Sequence, residues 1–267
     1  MFSIIKTIAE NGLFELHKKK AFYLLFVLLI LVFIVPLYFR QKFMPFGGHS
    51  YGWETACQDM IISQVKFFIF LGLAISILFA AGSVETEISK RTVSSVMIRP
   101  IHRWEYLLGR VSSCIAFYFI CVASGTLLSY LAALILGCPM PPLFLWGILQ
   151  RLTFGIAVLL VTFSLGALIS STSTIVIIFV TGIFTLFAPH VPDDLSRFIS
   201  IFKQLVHYIT PADWESDFLS KEFLQEDKEF SLWMNVLVIA ENLMYGISFF
   251  LASAWIYTKK DLKLRET

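Results

Sequence analysis

Residues 85–110 read ETEISKRTVSSVMIRPIHRWEYLLGR and form a long polar segment between two strongly apolar stretches of the chain. Glu87 and Arg91 are four residues apart, the spacing at which opposite charges face each other on a helix. Thr92 can cap a short helix that begins at Val93. The apolar residues of this short helix share one face, and they are Val93, Val96 and Met97.

A proline separates this short helix from a second one. Arg99 precedes Pro100, which disfavours the helical conformation at the arginine and predicts that the first helix ends there. The second helix should start near His102, lie along the membrane surface and continue into the next apolar stretch, because its apolar residues recur at helical spacing. Periodicity alone favours an ordinary solvated loop that keeps basic residues in the cytoplasm. The apolar residues of the second helix are Trp104, Leu107, Leu108 and Val111.

This segment resembles the cytoplasmic loop of ABC-2 type transport permeases, the membrane subunits of one class of ABC transporter. That family often has Gly before the threonine of the loop and Lys after its glycine, whereas this chain has Arg91 and Arg110. Both departures keep the local charge basic. The resemblance rests on Glu85, Glu87, Arg91, Thr92, Arg99, Pro100, Arg103, Leu107, Leu108, Gly109 and Arg110.

The resemblance implies that residues 85–110 are a coupling region that docks onto a separate ATP-hydrolysing subunit. The apolar face of the short helix would dock, Glu87 and Arg91 would hold its register, and Pro100 would fix the bend. It also implies an exporter, in which a second permease subunit, identical or not, completes a dimer bound to two ATPases. The predicted coupling residues are Glu85, Glu87, Arg91, Thr92, Val93, Val96, Met97, Arg99, Pro100 and Arg103.

Composition independently indicates a membrane protein. Hydrophobic residues make up 57% of the 267, and charged residues only 15%, which is too few to cover a soluble domain of this size. We therefore predict an all-α membrane protein with six transmembrane helices, each long enough to cross about 30 Å of hydrocarbon. The predicted spans are residues 21–39, 67–84, 111–136, 152–169, 172–191 and 236–257.

Two helical segments should flank these spans. Residues 1–20 show an apolar face typical of a helix in the headgroup layer, although Gly12 weakens the helix locally. Residues 192–235 are predicted to form an outer hairpin before the last span. This hairpin could either dip into the outer leaflet or form a plain external lid. Its HYITPADWESDF sequence is similar to a pattern that many ABC-2 permeases carry at this point.

Charge distribution predicts the orientation. With the amino terminus in the cytoplasm, both termini and the coupling region are inside, together with 13 of the 21 Lys and Arg residues. Close helix packing is predicted where small residues lie four apart, because lipid provides no hydrophobic drive between helices. These pairs are Gly72 with Ser76, Gly125 with Ser129, and Gly166 with Ser170.

The sequence predicts no catalytic or cofactor site. It has no glycine-rich phosphate-binding loop with its lysine, so ATP hydrolysis is expected in a partner subunit. The five histidines and four cysteines lack metal-binding spacing, and a net charge of +2 does not indicate a nucleic-acid partner. Cys57 and Cys138 should both lie outside and could pair, although two such cysteines are more often unpaired. Cys114 and Cys121 should pack within a span.

One acidic residue, Glu241, lies inside a predicted span, roughly 10 Å from its outer end. It is a candidate for the lining of a transport pathway together with Asn242. The alternative, which the distance from the midplane favours, is a carboxylate satisfied by Asn242, a hydroxyl or outer-leaflet water. An ATP-independent secondary transporter or channel is the competing function, but it should show paired intramembrane charges. An enzyme acting on lipid should show clustered His and acidic residues.

Overall fold

A computed structural model gives the fold. It describes residues 2–17, 51–89, 103–138, 140, 144–187 and 232–263, and five single positions in the first apolar stretch. The described residues form six α-helices and no strand, which confirms the all-helical prediction for this part of the chain. The helices are α1 (Phe2–His17), α2 (Tyr51–Ser89), α3 (Arg103–Leu136), α4 (Phe144–Leu168), α5 (Ser171–Phe187) and α6 (Leu232–Lys263).

Four of these helices are long and apolar enough to cross a membrane. The 17-residue helix α5 spans about 25 Å and is rich in apolar residues. The first predicted span lies outside the described residues except at five helical, exposed positions, and most of the predicted outer hairpin also lies outside them. Six spans therefore remain a prediction. The four candidate spans are Cys57–Ser83, Trp104–Leu136, Phe144–Leu168 and Asn235–Ile256.

The helices extend beyond the apolar stretches that predicted them. Helix α2 begins at Tyr51 rather than near residue 67, and it continues to Ser89, so it includes Glu85 and Glu87. Hydropathy detects only the part of a helix that lies in hydrocarbon, whereas polar turns at either end can remain helical. Helix α3 starts at Arg103 and runs unbroken to Leu136, which confirms that the helix expected near His102 continues directly into a span.

Helices α2 and α3 pack side by side in opposite directions. A Cβ added at Gly125 would lie 2.6 Å from Cβ of Phe68, and one added at Gly72 would lie 3.0 Å from Cβ of Cys121. The later residue of α3, Gly125, contacts the earlier residue of α2, Phe68, while Cys121 contacts Gly72. The two helices are therefore antiparallel. The predicted close approach at both glycines is confirmed. The third predicted pair is confirmed at one residue only. A Cβ at Gly166 would lie 2.8 Å from the backbone oxygen of Ala81 in α2, whereas Ser170 lies in the exposed turn before α5, where its hydroxyl accepts the Ser173 N–H at 3.4 Å.

Helix α4 occupies the centre of the bundle. In its most apolar stretch 61% of the residues are buried, whereas only 22% are buried in the corresponding stretch of α6. Tyr118 of α3 is the largest fully buried side chain and belongs to the main apolar core, to which α2, α3, α4 and α6 all contribute. Its hydroxyl donates a hydrogen bond to the backbone oxygen of Arg151 at 3.4 Å. The ring packs against Gly155, where a side chain would collide with it.

Helices α4 and α6 run in the same direction. The side-chain amide of Gln150 donates to Oδ1 of Asn235 near the start of both helices, and the rings of Phe163 and Phe250 lie 6.2 Å apart further along. Two parallel spans require the chain to recross the membrane between them. Helix α5, which follows α4 after a two-residue turn at positions 169–170, is suited by its apolar length to make that crossing.

Replacing Gly246 by leucine should destabilise the parallel α4–α6 contact. A Cβ at Gly246 would lie 2.9 Å from Cα of Ala157, and backbone cannot yield as a side chain can. We expect a loss of about 1–3 kcal/mol, measured as a lower Tm in detergent. Ala252→Leu adds bulk on the exposed face of the same helix and should change Tm little. Equal effects of both substitutions would contradict this packing.

Candidate functional site

The structure places the ends of the coupling region on one side of the bundle. Glu85 and Glu87 lie in the last turns of α2, and Arg103 is the first residue of α3. Because these helices are antiparallel neighbours, the segment that joins them leaves and enters the bundle at the same end. The remaining predicted coupling residues lie outside the described residues, namely Arg91, Thr92, Val93, Val96, Met97, Arg99 and Pro100.

The first turns of α3 are anchored in the core of the bundle. Leu107 and Val111 are buried in the main apolar cluster, and Leu108 packs partly against it. Trp104 remains exposed on another side of the helix, a position suited to an aromatic at a membrane interface. Glu105 is buried in the first turn, where the helix dipole favours an acidic side chain. The helix that follows the predicted coupling region is therefore packed into the core from its first turns.

Helix α1 packs against this same part of α3. A Cβ at Gly109 would lie 2.7 Å from Cβ of Ile8, and one at Gly12 would lie 2.6 Å from the hydroxyl oxygen of Ser113. Both glycines are thus needed for the close approach of the two helices. Gly12, which the sequence suggested would weaken α1, lies within it at the contact itself. The sequence predicted α1 as an interfacial helix but did not predict this partner.

A salt bridge fastens α1 to α3. The guanidinium of Arg110 donates to the carboxylate of Glu15 at 2.9 Å, and the two side chains are 13% and 64% exposed. A second pair, Lys6 with Glu10, is 3.8 Å apart and exposed on α1, where such pairs contribute little. Sequence reasoning missed Glu15, because no local pattern links residues 95 positions apart. The candidate site therefore includes Gly12, Glu15, Gly109 and Arg110 beside the coupling region.

The two pathway candidates on α6 lie on different faces of that helix. Asn242 is 1% exposed and belongs to the side that packs into the bundle, whereas Glu241 is exposed. Successive helical residues point about 100° apart, so one face of α6 cannot present both. Glu241 shares its exposed face with Leu237, Met244 and Ser248. Asn242 therefore lies in the packed interior of the described bundle, whereas Glu241 lies on its exposed surface.

Buried amides join the helices near the start of α4. Gln150 and Asn235 are both buried and hydrogen bonded to each other, and the sequence analysis singled out neither. Interhelical hydrogen bonds of this kind hold helices together in lipid. Among the described residues, no group of three or more His, Cys, Asp or Glu side chains is placed to hold a metal ion.

Comparison with known proteins identifies the chain's relatives at the family level. The family model described as ABC-2 family transporter protein matches residues 6–262. The match extends from the first turns of α1 to the last turn of α6 and includes the whole coupling region. No curated protein matches the chain.

Reversing the charge of Glu15 should loosen α1 from α3. Glu15→Lys places a cation against Arg110 and should lower Tm, by an amount equivalent to roughly 1–2 kcal/mol. The exchanged pair Glu15→Lys with Arg110→Glu should recover part of that loss. Glu10→Lys makes the same charge change on the exposed side of α1 and serves as the control. The salt bridge has no stabilising role if the control lowers Tm as much, or if the exchange recovers nothing.

Proposed function

The chain belongs to the ABC-2 family of transporter proteins, and on that premise we propose that it lines the path of an exported substrate while a separate subunit hydrolyses ATP. The observation that carries the proposal is the anchoring of the coupling region. Its two ends enter neighbouring antiparallel helices at one end of the bundle, where α1 is fastened to α3. A segment held in this way can pass a push from a soluble partner to the membrane helices.

The disulfide at the opposite end of these helices supports a cytoplasmic coupling region. Cys57, near the start of α2, is bonded to Cys138, just after the end of α3. Disulfides persist in oxidising compartments and are rare in the cytosol. The ends of α2 and α3 that carry the bond therefore face outward, and their other ends face the cytoplasm. The excess of Lys and Arg on that side supports the same orientation.

The docking face of the coupling region consists of Val93, Val96 and Met97. These three apolar residues share one side of the short helix predicted from the sequence, and they would fill a groove on an ATP-binding-cassette ATPase. A separate ATPase is needed because the chain has no phosphate-binding loop of its own. Glu87 and Arg91 keep the helix in register, and Pro100 fixes the bend before α3.

The length of α3 explains how a local push reaches the outer side. Its 34 residues form one helix about 51 Å long, which exceeds the thickness of the hydrocarbon core. Helix α2 has 39 residues and packs along it. A tilt imposed on the cytoplasmic ends of this pair is therefore carried across the whole membrane. Helix α1 moves with them, because Glu15 and the glycine contacts attach it to α3.

A second permease subunit completes the pathway, and the exposed face of α6 is the surface that lines it. A carboxylate in contact with hydrocarbon is costly, so the exposed side chain of Glu241 must face water, a polar partner or the substrate. Ser248 lies two turns further along the same face. A path between two subunits provides such surroundings, and Glu241 then favours substrates that carry hydrogen-bond donors or positive charge.

Introducing an acid on the docking face should release the ATPase. Val96→Asp or Met97→Asp requires a charge to be buried in an apolar groove, so each variant should no longer co-purify with a partner ABC ATPase. Ser95→Asp adds the same charge on the opposite side of the short helix and should keep the complex. Retention by Val96→Asp, or equal loss by Ser95→Asp, would show that this face does not dock.

Replacing Glu241 tests whether α6 lines the path. Glu241→Gln preserves size and removes the charge, so export should fall several-fold while co-purification with the ATPase and Tm are retained. Met244→Gln, on the same exposed face, is the control for a change of polarity alone. Unchanged export by Glu241→Gln would place the carboxylate in outer-leaflet water, away from the substrate.

A further inference from the structure

The turn at the end of α3 places a cysteine against α2. The N–H of Gly137 donates to the oxygen of Leu134 at 3.2 Å, and the N–H of Cys138 donates to the oxygen of Ala133 at 3.0 Å. This pair of bonds is the Schellman motif, which ends a helix with a residue in the left-handed region. Gly137 takes that conformation with φ of 70°. The motif therefore fixes where Cys138 lies.

Cys57 of α2 meets Cys138 at this point and forms a disulfide with it. Their Cα atoms are 6.3 Å apart, within the normal range, although 81 residues separate them in sequence. The two residues are only 0% and 9% exposed. They lie in an apolar cluster with Ile61, Ala133 and Leu136, against which Met60 and Met140 pack. The sequence left the pairing open, and the structure joins the two cysteines.

Burial of this bond has a kinetic consequence. A thiol oxidase must reach one of the two sulfurs to form the mixed disulfide, and a reductant must reach one sulfur to break the finished bond. Neither has access once Ile61 and Leu136 are packed around the pair. The disulfide must therefore form while the outer ends of α2 and α3 are assembling, and it should resist reduction afterwards.

We propose that this chain is a client of a disulfide-carrying thiol oxidase on the outer face of the membrane, with Cys57 and Cys138 as the reacting pair. One thiolate attacks the oxidase disulfide, forms a mixed disulfide and releases one oxidase thiolate. The second thiolate then attacks the mixed disulfide and releases the other. The two cysteines lose two protons and two electrons, and the oxidase takes up the electrons as a dithiol. The bond then clamps the outer ends of α2 and α3.

The clamp restricts which helices can separate during transport, a consequence that rests on the proposed function. Helices α2 and α3 are joined outside by the disulfide, so movement of their cytoplasmic ends must tilt them as a pair. The oxidation itself does not depend on transport. Failure of the thiol measurements below would therefore overturn the client relationship and withdraw the disulfide's support for the orientation, whereas docking onto an ATPase is tested separately by co-purification.

Thiol counting tests the proposal. Purified protein, denatured without reductant, should react with a maleimide polymer at Cys114 and Cys121 only, and at all four cysteines after reduction. Protein made in a host that lacks the thiol oxidase of the outer compartment should react at all four without reduction. Four reactive thiols in the normal host, or an intact disulfide in the deficient host, would overturn the proposal.

Two further measurements sharpen the test. A reductant should open the bond slowly in the folded protein and rapidly after denaturation, and equal rates would contradict shielding by the apolar cluster. Gly137→Ala forces a side chain into the left-handed region, which only glycine adopts readily, and should lower the oxidised fraction in the normal host. Gly82→Ala, a helical position with open space around it, should leave that fraction unchanged. An unchanged fraction in Gly137→Ala would show that the turn does not position Cys138.

Discussion

The disulfide between Cys57 and Cys138 and the salt bridge between Glu15 and Arg110 hold α3 near its two ends. The disulfide links the end of α3 to α2, and the salt bridge links the start of α3 to α1 beside the proposed coupling region. Between them the helix is continuous and packs through Tyr118 into the core formed with α2, α4 and α6. A rigid element attached at both ends can transmit a displacement without losing its neighbours. The proposed coupling mechanism depends on this property.

Packing in the rest of the bundle follows from the lack of a hydrophobic drive between helices in lipid. Small residues allow close backbone approach, as at Gly246 against Ala157, and a buried amide pair links α4 to α6. Beyond the first turn of α5, most of the exposed side chains described on α5 and α6 are apolar, as expected for contact with lipid or with another membrane subunit. Glu241 is the charged exception among the described side chains of α6, and this is why we propose it for the pathway.

Much of the architecture could be predicted from the sequence because composition and periodicity are local properties. They predicted an all-helical membrane protein and an unbroken helix from near His102, whereas the coupling region was expected from its resemblance to ABC-2 permeases. The ends of α2 were not predicted, since its polar turns carry no hydropathy signal. The Glu15–Arg110 pair and the Cys57–Cys138 bond join residues far apart in the chain, so only the fold reveals them. Which of Glu241 and Asn242 packs inward also depends on where the neighbouring helix lies, and no local pattern of the sequence reveals that position.

The central claim is that the coupling region lies in the cytoplasm, where an ATPase can act on α2 and α3. It is tested most directly by placing one cysteine in the region, with Ser94→Cys, and measuring its reaction with a membrane-impermeant maleimide. The native cysteines are either disulfide-bonded or buried, so the new thiol dominates the signal. We predict labelling in inverted membrane vesicles and none in intact cells. Labelling in intact cells would place the coupling region outside and contradict the account.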